Sequence, residues 1–310
     1  MRGGIQLLVH GGAGGRAGEQ AGEPTAVQRA GAAALCRALL AGHARLLAGA
    51  SALDAVVAAV EAMEDEPALN AGLGSALTGD GRVQMDACVM EGPRGRAGAV
   101  AGVEDFAHPV QVARLVREQS PHVLLVGPDA RAFALAHGAA GVPGGRLVTE
   151  LRRRQLEAAR ARGVAELDHD EPLPRAEGGS TVGAVALDRH GALAAATSTG
   201  GLTNQLPGRV GDSPIPGAGT WADERVAVSA TGEGERFLEA AFAHEVAAQL
   251  RLAGASLEEA CLAALRAVEA RGGRGGCIAL TATGEVALPF NTARMLRGAI
   301  GPEGRPEVWL

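Results

Sequence analysis

The sequence predicts a layered α+β protein or an αββα sandwich, in which helices flank paired antiparallel strands. Three observations point there. Apolar runs at 182–187 and 192–197 flank Asp188-Arg189-His190-Gly191, a β-hairpin signature with glycine placed to take positive φ. A second hairpin joins 277–280 to 285–288 around Thr283-Gly284. Long stretches of helical period stand beside these hairpins rather than alternating strictly with single strands.

The elements follow in order. Residues 5–9 read as a buried strand that ends at His10-Gly11-Gly12-Ala13-Gly14-Gly15, a glycine-rich loop. Pro24 sits near the start of an alanine-rich helix reaching about Leu47. Ser51-Ala52-Leu53-Asp54 forms a capping box for the next helix, whose Val56, Val57, Val60 and Met63 lie mostly on one face before Pro67 ends it. Strands are expected at 83–90, 97–103 and 122–126, with helices opening at His108-Pro109 and near Asp129. From about Thr149 to Gly179 the chain becomes charged and proline-bearing, and 150–180 is the predicted linker. Beyond the first hairpin comes a polar, glycine-rich passage, 199–219. A strand at 225–229, a helix over 235–252 and a second helix capped by Ser256 with Glu259 complete the pattern.

Composition narrows the function classes. The chain has 310 residues, enough for a sizeable core in one large domain or two ordinary ones. Aromatic residues make up 2% and hydrophobic residues 47%, so the core must be built from Ala, Val and Leu. The net charge of −6 and scattered arginines argue against a nucleic-acid surface; the Arg152-Arg153-Arg154 run reads as a solvated helix face. No apolar run approaches a membrane span, and no signal peptide is evident, so no membrane partner is expected and cytoplasm is the expected compartment. Cys36, Cys88, Cys261 and Cys277 are far apart with no CxxC pair and read as reduced thiols. The eight histidines are not grouped at ligand spacing. The loop at His10 lacks the Gly-Lys-Ser/Thr ending of a phosphate cradle.

The chemistry concentrates at Gly178-Gly179-Ser180-Thr181-Val182. A threonine here stands between a charged segment and an apolar strand, where cleavage would make it a new N-terminus. Such a residue carries a nucleophilic hydroxyl and a free α-amine, so nucleophile and base belong together. An α-amine titrates at roughly 7.7–8.0, suited to a general base near neutrality. Arg209 offers a planar fork for a carboxylate, and Asp212 a partner for an ammonium. A threonine that merely begins a strand, and a surface ion pair of Arg209 with Asp212, are the ordinary alternatives.

The surrounding motifs decide between them. Thr181-Val182-Gly183-Ala184-Val185-Ala186-Leu187-Asp188, Ala196-Thr197-Ser198-Thr199-Gly200-Gly201, Leu206-Pro207-Gly208-Arg209-Val210-Gly211-Asp212-Ser213-Pro214 and Ala230-Thr231-Gly232-Glu233-Gly234-Glu235 resemble the plant-type L-asparaginase/isoaspartyl peptidase family of N-terminal-nucleophile hydrolases. His10-Gly11-Gly12-Ala13-Gly14, Asn70-Ala71-Gly72-Leu73-Gly74 and Pro289-Phe290-Asn291-Thr292 extend the resemblance over nearly the whole chain. The resemblance implies a four-layer αββα sandwich, one structural domain over 1–310, and autocleavage between Ser180 and Thr181 into 1–180 and 181–310 subunits that assemble as (αβ)2. It implies hydrolysis of L-asparagine and β-aspartyl dipeptides through an acyl-enzyme on Thr181. Thr199 would orient the nucleophile, and Thr231 with Gly232 would form the oxyanion hole. Arg209 and Asp212 would hold the amino-acid end of the substrate, with Asn70 and Gly11 bracing the site. Thr197 is read as structural. No cofactor is required; residues 63–73 resemble a loop that holds a sodium ion through backbone carbonyls. One departure is Ser180, where family members often carry glycine. A glycosylasparaginase-like amidase, a threonine endopeptidase and an unprocessed aspartate-binding protein are the rival expectations.

Overall fold

Reciprocal caps start the helices that carry much of the core. Thr25 with Gln28, Ser51 with Asp54 and Ser256 with Glu259 each exchange side-chain and backbone bonds at a helix N-terminus. The computed structural model describes residues 4–15, 23–143, 145–163, 165 and 181–310. Ser180 and most of the second half of the predicted linker lie outside the described residues.

In chain order the first half runs β1 (Gln6–Gly14), α1 (Ala26–Leu47), α2 (Ala52–Glu64), β2 (Met85–Glu91), β3 (Arg96–Val103), α3 (Pro109–Gln119), β4 (Leu124–Val126), α4 (Gly127–Ala136) and α5 (Glu150–Arg162). The second half runs β5 (Val182–Leu187), β6 (Leu193–Thr199), β7 (Thr220–Ala222), β8 (Val226–Gly232), α6 (Gly234–Ala240), α7 (Phe242–Ala248), α8 (Leu257–Glu269), β9 (Gly275–Thr281), β10 (Val286–Ala287), β11 (Arg294–Ile300) and β12 (Glu307–Trp309). The protein is α+β, as the hairpins predict. One sheet has the order β12-β11-β1-β5-β6-β2-β3-β4 and the other β10-β9-β8-β7. Both predicted hairpins form, as β5/β6 and β9/β10.

Side-chain alternation sorts the apolar residues into clusters. Leu7 and Val9 of β1 pack with Leu35, Leu39, Val56 and Val60 of α1 and α2, whereas Leu8 faces the other way. Leu8, Val185 and Ala195 of the large sheet meet Ala227, Ile278 and Leu280 of the small one. On the small sheet's other face, Val228 and Ala230 pack with Phe237, Phe242 and Leu265.

Four expectations change. The glycine-rich stretch from His10 is strand rather than loop: β1 runs to Gly14, because it is paired with β5 on one side and β11 on the other, its register with β11 shifting between His10 and Gly12. The helix expected over 235–252 breaks at Ala241, whose φ of 46° is left-handed. Alanine there costs about 1 kcal/mol; the break brings the Phe237 and Phe242 rings to 4.8 Å in the core. The linker reading of 150–180 is corrected over its first part, since α5 is a helix capped by Thr149. Its Arg152 is fully buried rather than on a solvated face, donating from Nε to the Gly74 carbonyl (2.6 Å) and from Nη1 to Gln155 (2.9 Å). Strands β7, β11 and β12 carry too little apolar alternation to be seen in sequence. All four cysteines are free thiols. Among the described residues, no helix is long and apolar enough to cross a membrane.

Candidate active site

The ends of β5, β6 and β8 converge on one cleft of about 320 Å³, a volume that includes space open to solvent. Thr181, Thr199, Asn70, Arg209, Asp212 and Gly232 line it. Sequence positions separated by up to 162 residues therefore meet as the motifs predict.

Thr181 immediately precedes β5 and is largely buried. Its hydroxyl donates to Thr199 Oγ1 at 3.1 Å, across the β5/β6 pairing. Thr199 Oγ1 also accepts from the Gly201 backbone N–H at 3.1 Å, which fixes its rotamer. Asn70 ties the neighbouring loops together. Its Nδ2 donates to the Gly201 carbonyl (2.7 Å) and its Oδ1 accepts from Ala76 N–H (2.8 Å).

Gly232 ends β8 with a φ of 152°. A Cβ there would collide with the Arg274 carbonyl oxygen and lie 2.7 Å from both Gly275 Cα and the Phe237 ring. Glycine therefore lets β8 turn beside the cleft. Thr231 is fully buried on β8, just before that turn, and does not itself line the cleft. Gly11 does not line it either: a Cβ at Gly11 would meet Leu296 and Leu35 in the apolar layer. Its connection with the cleft runs through β1, which pairs with β5.

Arg209 and Asp212 stand together, but not as a simple ion pair. Arg209 uses Nε and Nη2 to hold Glu235, at 2.8 and 2.9 Å. Asp212 is buried, and its Oδ2 has no hydrogen-bond partner within the protein. Burial pushes Asp212 up to about 7, with the Arg209 charge pulling in the opposite direction. Asp86, on β2, is pushed up to about 6 by burial, against hydrogen bonds from Gly102 and Gly211 and the Arg209 charge. A buried carboxylate oxygen without a partner beside a fixed guanidinium has the chemistry to receive a group that carries both an ammonium and a carboxylate.

Two contributors escaped the sequence reading. Glu235 lay inside a quoted motif, but nothing in its spacing shows that it reaches Arg209. Asp86 left a signal: it is the lone charge inside the apolar run Met85-Asp86-Ala87-Cys88-Val89-Met90.

Among the described residues, no group of three or more His, Cys, Asp or Glu side chains could hold a metal ion. The Glu64 and Ala107 carbonyls lie against Gly72, and those of Pro67 and Leu69 against Gly74.

Known proteins resemble this chain along most of its length. An isoaspartyl peptidase of Salmonella typhimurium is 48% identical over 294 residues, 94% of this chain and 93% of that protein. An isoaspartyl peptidase of Escherichia coli is 52% identical over 259 residues, 83% of this chain and 81% of its own length. The isoaspartyl peptidase/L-asparaginase of Homo sapiens is 42% identical over 264 residues, covering 84% and 83%. The sequence profile of the family described as asparaginase matches residues 3–310, and the chain belongs to that family.

Proposed function

We propose that this protein is an autoprocessed threonine amidohydrolase of the N-terminal-nucleophile type. It hydrolyses L-asparagine to L-aspartate and ammonia and cleaves β-aspartyl dipeptides. The observation that carries this reading is the presence of Thr181, hydrogen-bonded to Thr199, in the same cleft as Arg209 and the unpartnered Asp212 oxygen.

In maturation, the Thr181 hydroxyl attacks the Ser180 carbonyl carbon. The peptide nitrogen leaves with a proton, an ester links the two parts, and water hydrolyses it. The free Thr181 amine then takes the hydroxyl proton as Oγ attacks the side-chain carbonyl of the substrate. Thr199 holds Oγ in place. Arg209 takes the substrate α-carboxylate and Asp212 its α-ammonium, which sets the reacting carbonyl over Thr181. The oxyanion is stabilised by the Gly232 N–H, and by the Thr231 hydroxyl once it turns from its buried position on β8 toward the substrate. Collapse expels ammonia or an amino acid, protonated by the Thr181 ammonium. Water then releases aspartate from the ester.

On this reading residues 1–310 form one structural domain, cut into 1–180 and 181–310, and two such pairs form an (αβ)2 assembly. The three apolar clusters, one on each side of the sheets and one between them, support a four-layer αββα sandwich. No cofactor takes part in the reaction. The carbonyls near Gly72 and Gly74 are hard oxygen donors that suit a structural sodium ion; no step passes through it.

Intact mass spectrometry of the purified protein, with Thr181→Ala as control, tests the reading. Two fragments divided at Ser180/Thr181, with an uncut control, are expected, together with ammonia release from asparagine. A wild-type chain that stays whole after prolonged incubation would overturn autoprocessing and favour an aspartate-binding protein.

A further inference from the structure

A polar seam crosses the apolar layer between the two sheets. His10 Nε2 lies 2.9 Å from Ser229 Oγ. Ser229 Oγ lies 2.7 Å from Thr197 Oγ1. The Thr220 hydroxyl is 2.6 Å from Thr197 Oγ1 and 3.0 Å from the Ser213 carbonyl oxygen. His10, Ser229, Thr197, Thr220 and Ser213 are all fully buried. Leu8, Val185, Ala195 and Ile278 belong to the same layer. A polar group buried there without a partner would cost about 1–3 kcal/mol. Packing alone gives no reason to place four linked polar side chains in that layer.

Their positions supply the reason. Thr197 stands two residues before Thr199 on β6, and Ser229 two residues before Thr231 on β8, so each pair shares a strand face. Ser213 follows Asp212. His10 is in register with Gly183, two residues after Thr181, and Gly183 is in register with Thr197. A Cβ at Gly183 would collide with both Ser229 Oγ and His10 Nε2, so glycine here lets the seam cross. The second ring nitrogen of His10, Nδ1, is buried with no hydrogen-bond partner in the protein, and the Thr181 backbone lies near the ring. Each member of the seam thus stands within three residues of a group in the cleft, or lies against the backbone of one.

Burial drives His10 down to about 3, so its ring is neutral at physiological pH. With its proton on Nδ1, toward Thr181, Nε2 accepts from Ser229. Thr197 can then donate to Ser229 and Ser229 to His10, while the single Thr220 proton is shared between Thr197 Oγ1 and the acceptor-only Ser213 carbonyl.

We propose that His10, Ser229 and Thr197 are positioning residues, whose shared hydrogen bonds set the strand led by Thr181 against the strand that carries the oxyanion donors. This inference rests on the proposed threonine hydrolase. It differs from a packing role in what it requires of turnover. A packing role lowers stability and leaves kcat per mature site unchanged.

The test compares Ser229→Ala, Thr197→Val and Thr197→Ser with the wild type, normalising kcat to the fraction cleaved at Thr181. Ser229→Ala and Thr197→Val are each expected to lose roughly tenfold in kcat, the worth of about one hydrogen bond. KM for asparagine should stay within about twofold, since the substrate clamp is untouched. Thr197→Ser keeps the hydroxyl and should recover most of the lost kcat. The double variant Ser229→Ala/Thr197→Val should lose little more than either single one, because both break the same chain. If Ser229→Ala does not fold, the Val/Ser pair at position 197 carries the test. Wild-type turnover with unchanged kcat in Ser229→Ala and Thr197→Val overturns this inference alone. A wild type that is neither cleaved nor active overturns the proposed function and this inference with it.

Discussion

Glu235 holds the Arg209 guanidinium side-on, Oε1 to Nε at 2.8 Å and Oε2 to Nη2 at 2.9 Å. That geometry occupies one fork of the guanidinium and leaves its Nη1 edge, beside Gly211 on the cleft wall, for a ligand carboxylate. On the proposed reading, Glu235 therefore orients the carboxylate receptor rather than filling it. Glu235→Gln keeps the shape and loses the charge. It should raise KM for asparagine about two- to fivefold, the scale of a partly exposed ion pair, with kcat little changed. Steady-state kinetics on the mature enzyme check this. A fall in KM would mean that Glu235 competes with the substrate for Arg209.

If Asp212 takes the substrate α-ammonium as proposed, its unpartnered oxygen makes substrate capture depend on pH. Burial holds the Asp212 carboxyl at about 7 in the empty protein, and an α-ammonium needs it ionised. In a kcat/KM profile, activity should fall as pH drops through about 7, on the acid side of the bell. Stability should run the other way. The folded value lies above the unfolded one, so the folded state binds the extra proton between them, and stability falls as pH rises through that window. Asp212→Asn should therefore be inactive yet melt higher than wild type at pH 8, with the gain fading toward pH 4, as measured by calorimetry. An equal gain at both pH values would show that the ionised carboxylate is not the cause.

Gly232 cannot be replaced without moving the oxyanion strand. A side chain at its φ of 152° would press on the Arg274 carbonyl and on Gly275 Cα of the paired strand β9. Gly232→Ala should displace the amide proposed to meet the oxyanion and cost kcat about 10²-fold or more. The expected KM change is smaller, because Arg209 and Asp212 remain in place. Comparable losses with asparagine and a β-aspartyl dipeptide would locate the defect in a step common to both.

Local signals carried most of what the sequence shows. Both hairpins were legible because a turn glycine and flanking apolar runs lie within a few residues. Thr181, Thr199, Arg209 and Asp212 were legible through the motifs that contain them, and they share one cleft. What stayed hidden depends on contacts between distant residues. His10 meets Ser229 across 219 positions, and nothing in either neighbourhood signals the partner. The break at Ala241 was hidden for the opposite reason: alanine favours helix, and burial of Phe237 and Phe242 overrides that preference. Gly11 sat in a motif that reads as a loop, and only the pairing with β5 and β11 makes it strand.

Arg152 was misread because it stands in a run of three arginines in which a solvated face is the ordinary expectation. It is instead fully buried, and its Nε bond to the Gly74 carbonyl pins the turn that follows Asn70. The same turn leads to Ala76, whose N–H is held by Asn70 Oδ1. Removing the side chain leaves a cavity and deprives Gly74 of its donor, a loss of about 2–4 kcal/mol. Arg152→Ala should therefore lower Tm by about 5 °C or more. The neighbouring Arg154, exposed and paired with Glu150 one turn away, serves as the control. Arg154→Ala should move Tm by less than about 1 °C, the scale of a surface helical pair. Equal shifts for the two variants in differential scanning calorimetry would show that α5 is not anchored through Arg152. If the turn beyond Asn70 also supports the cleft, Arg152→Ala should lose activity below its melting range, whereas Arg154→Ala should not.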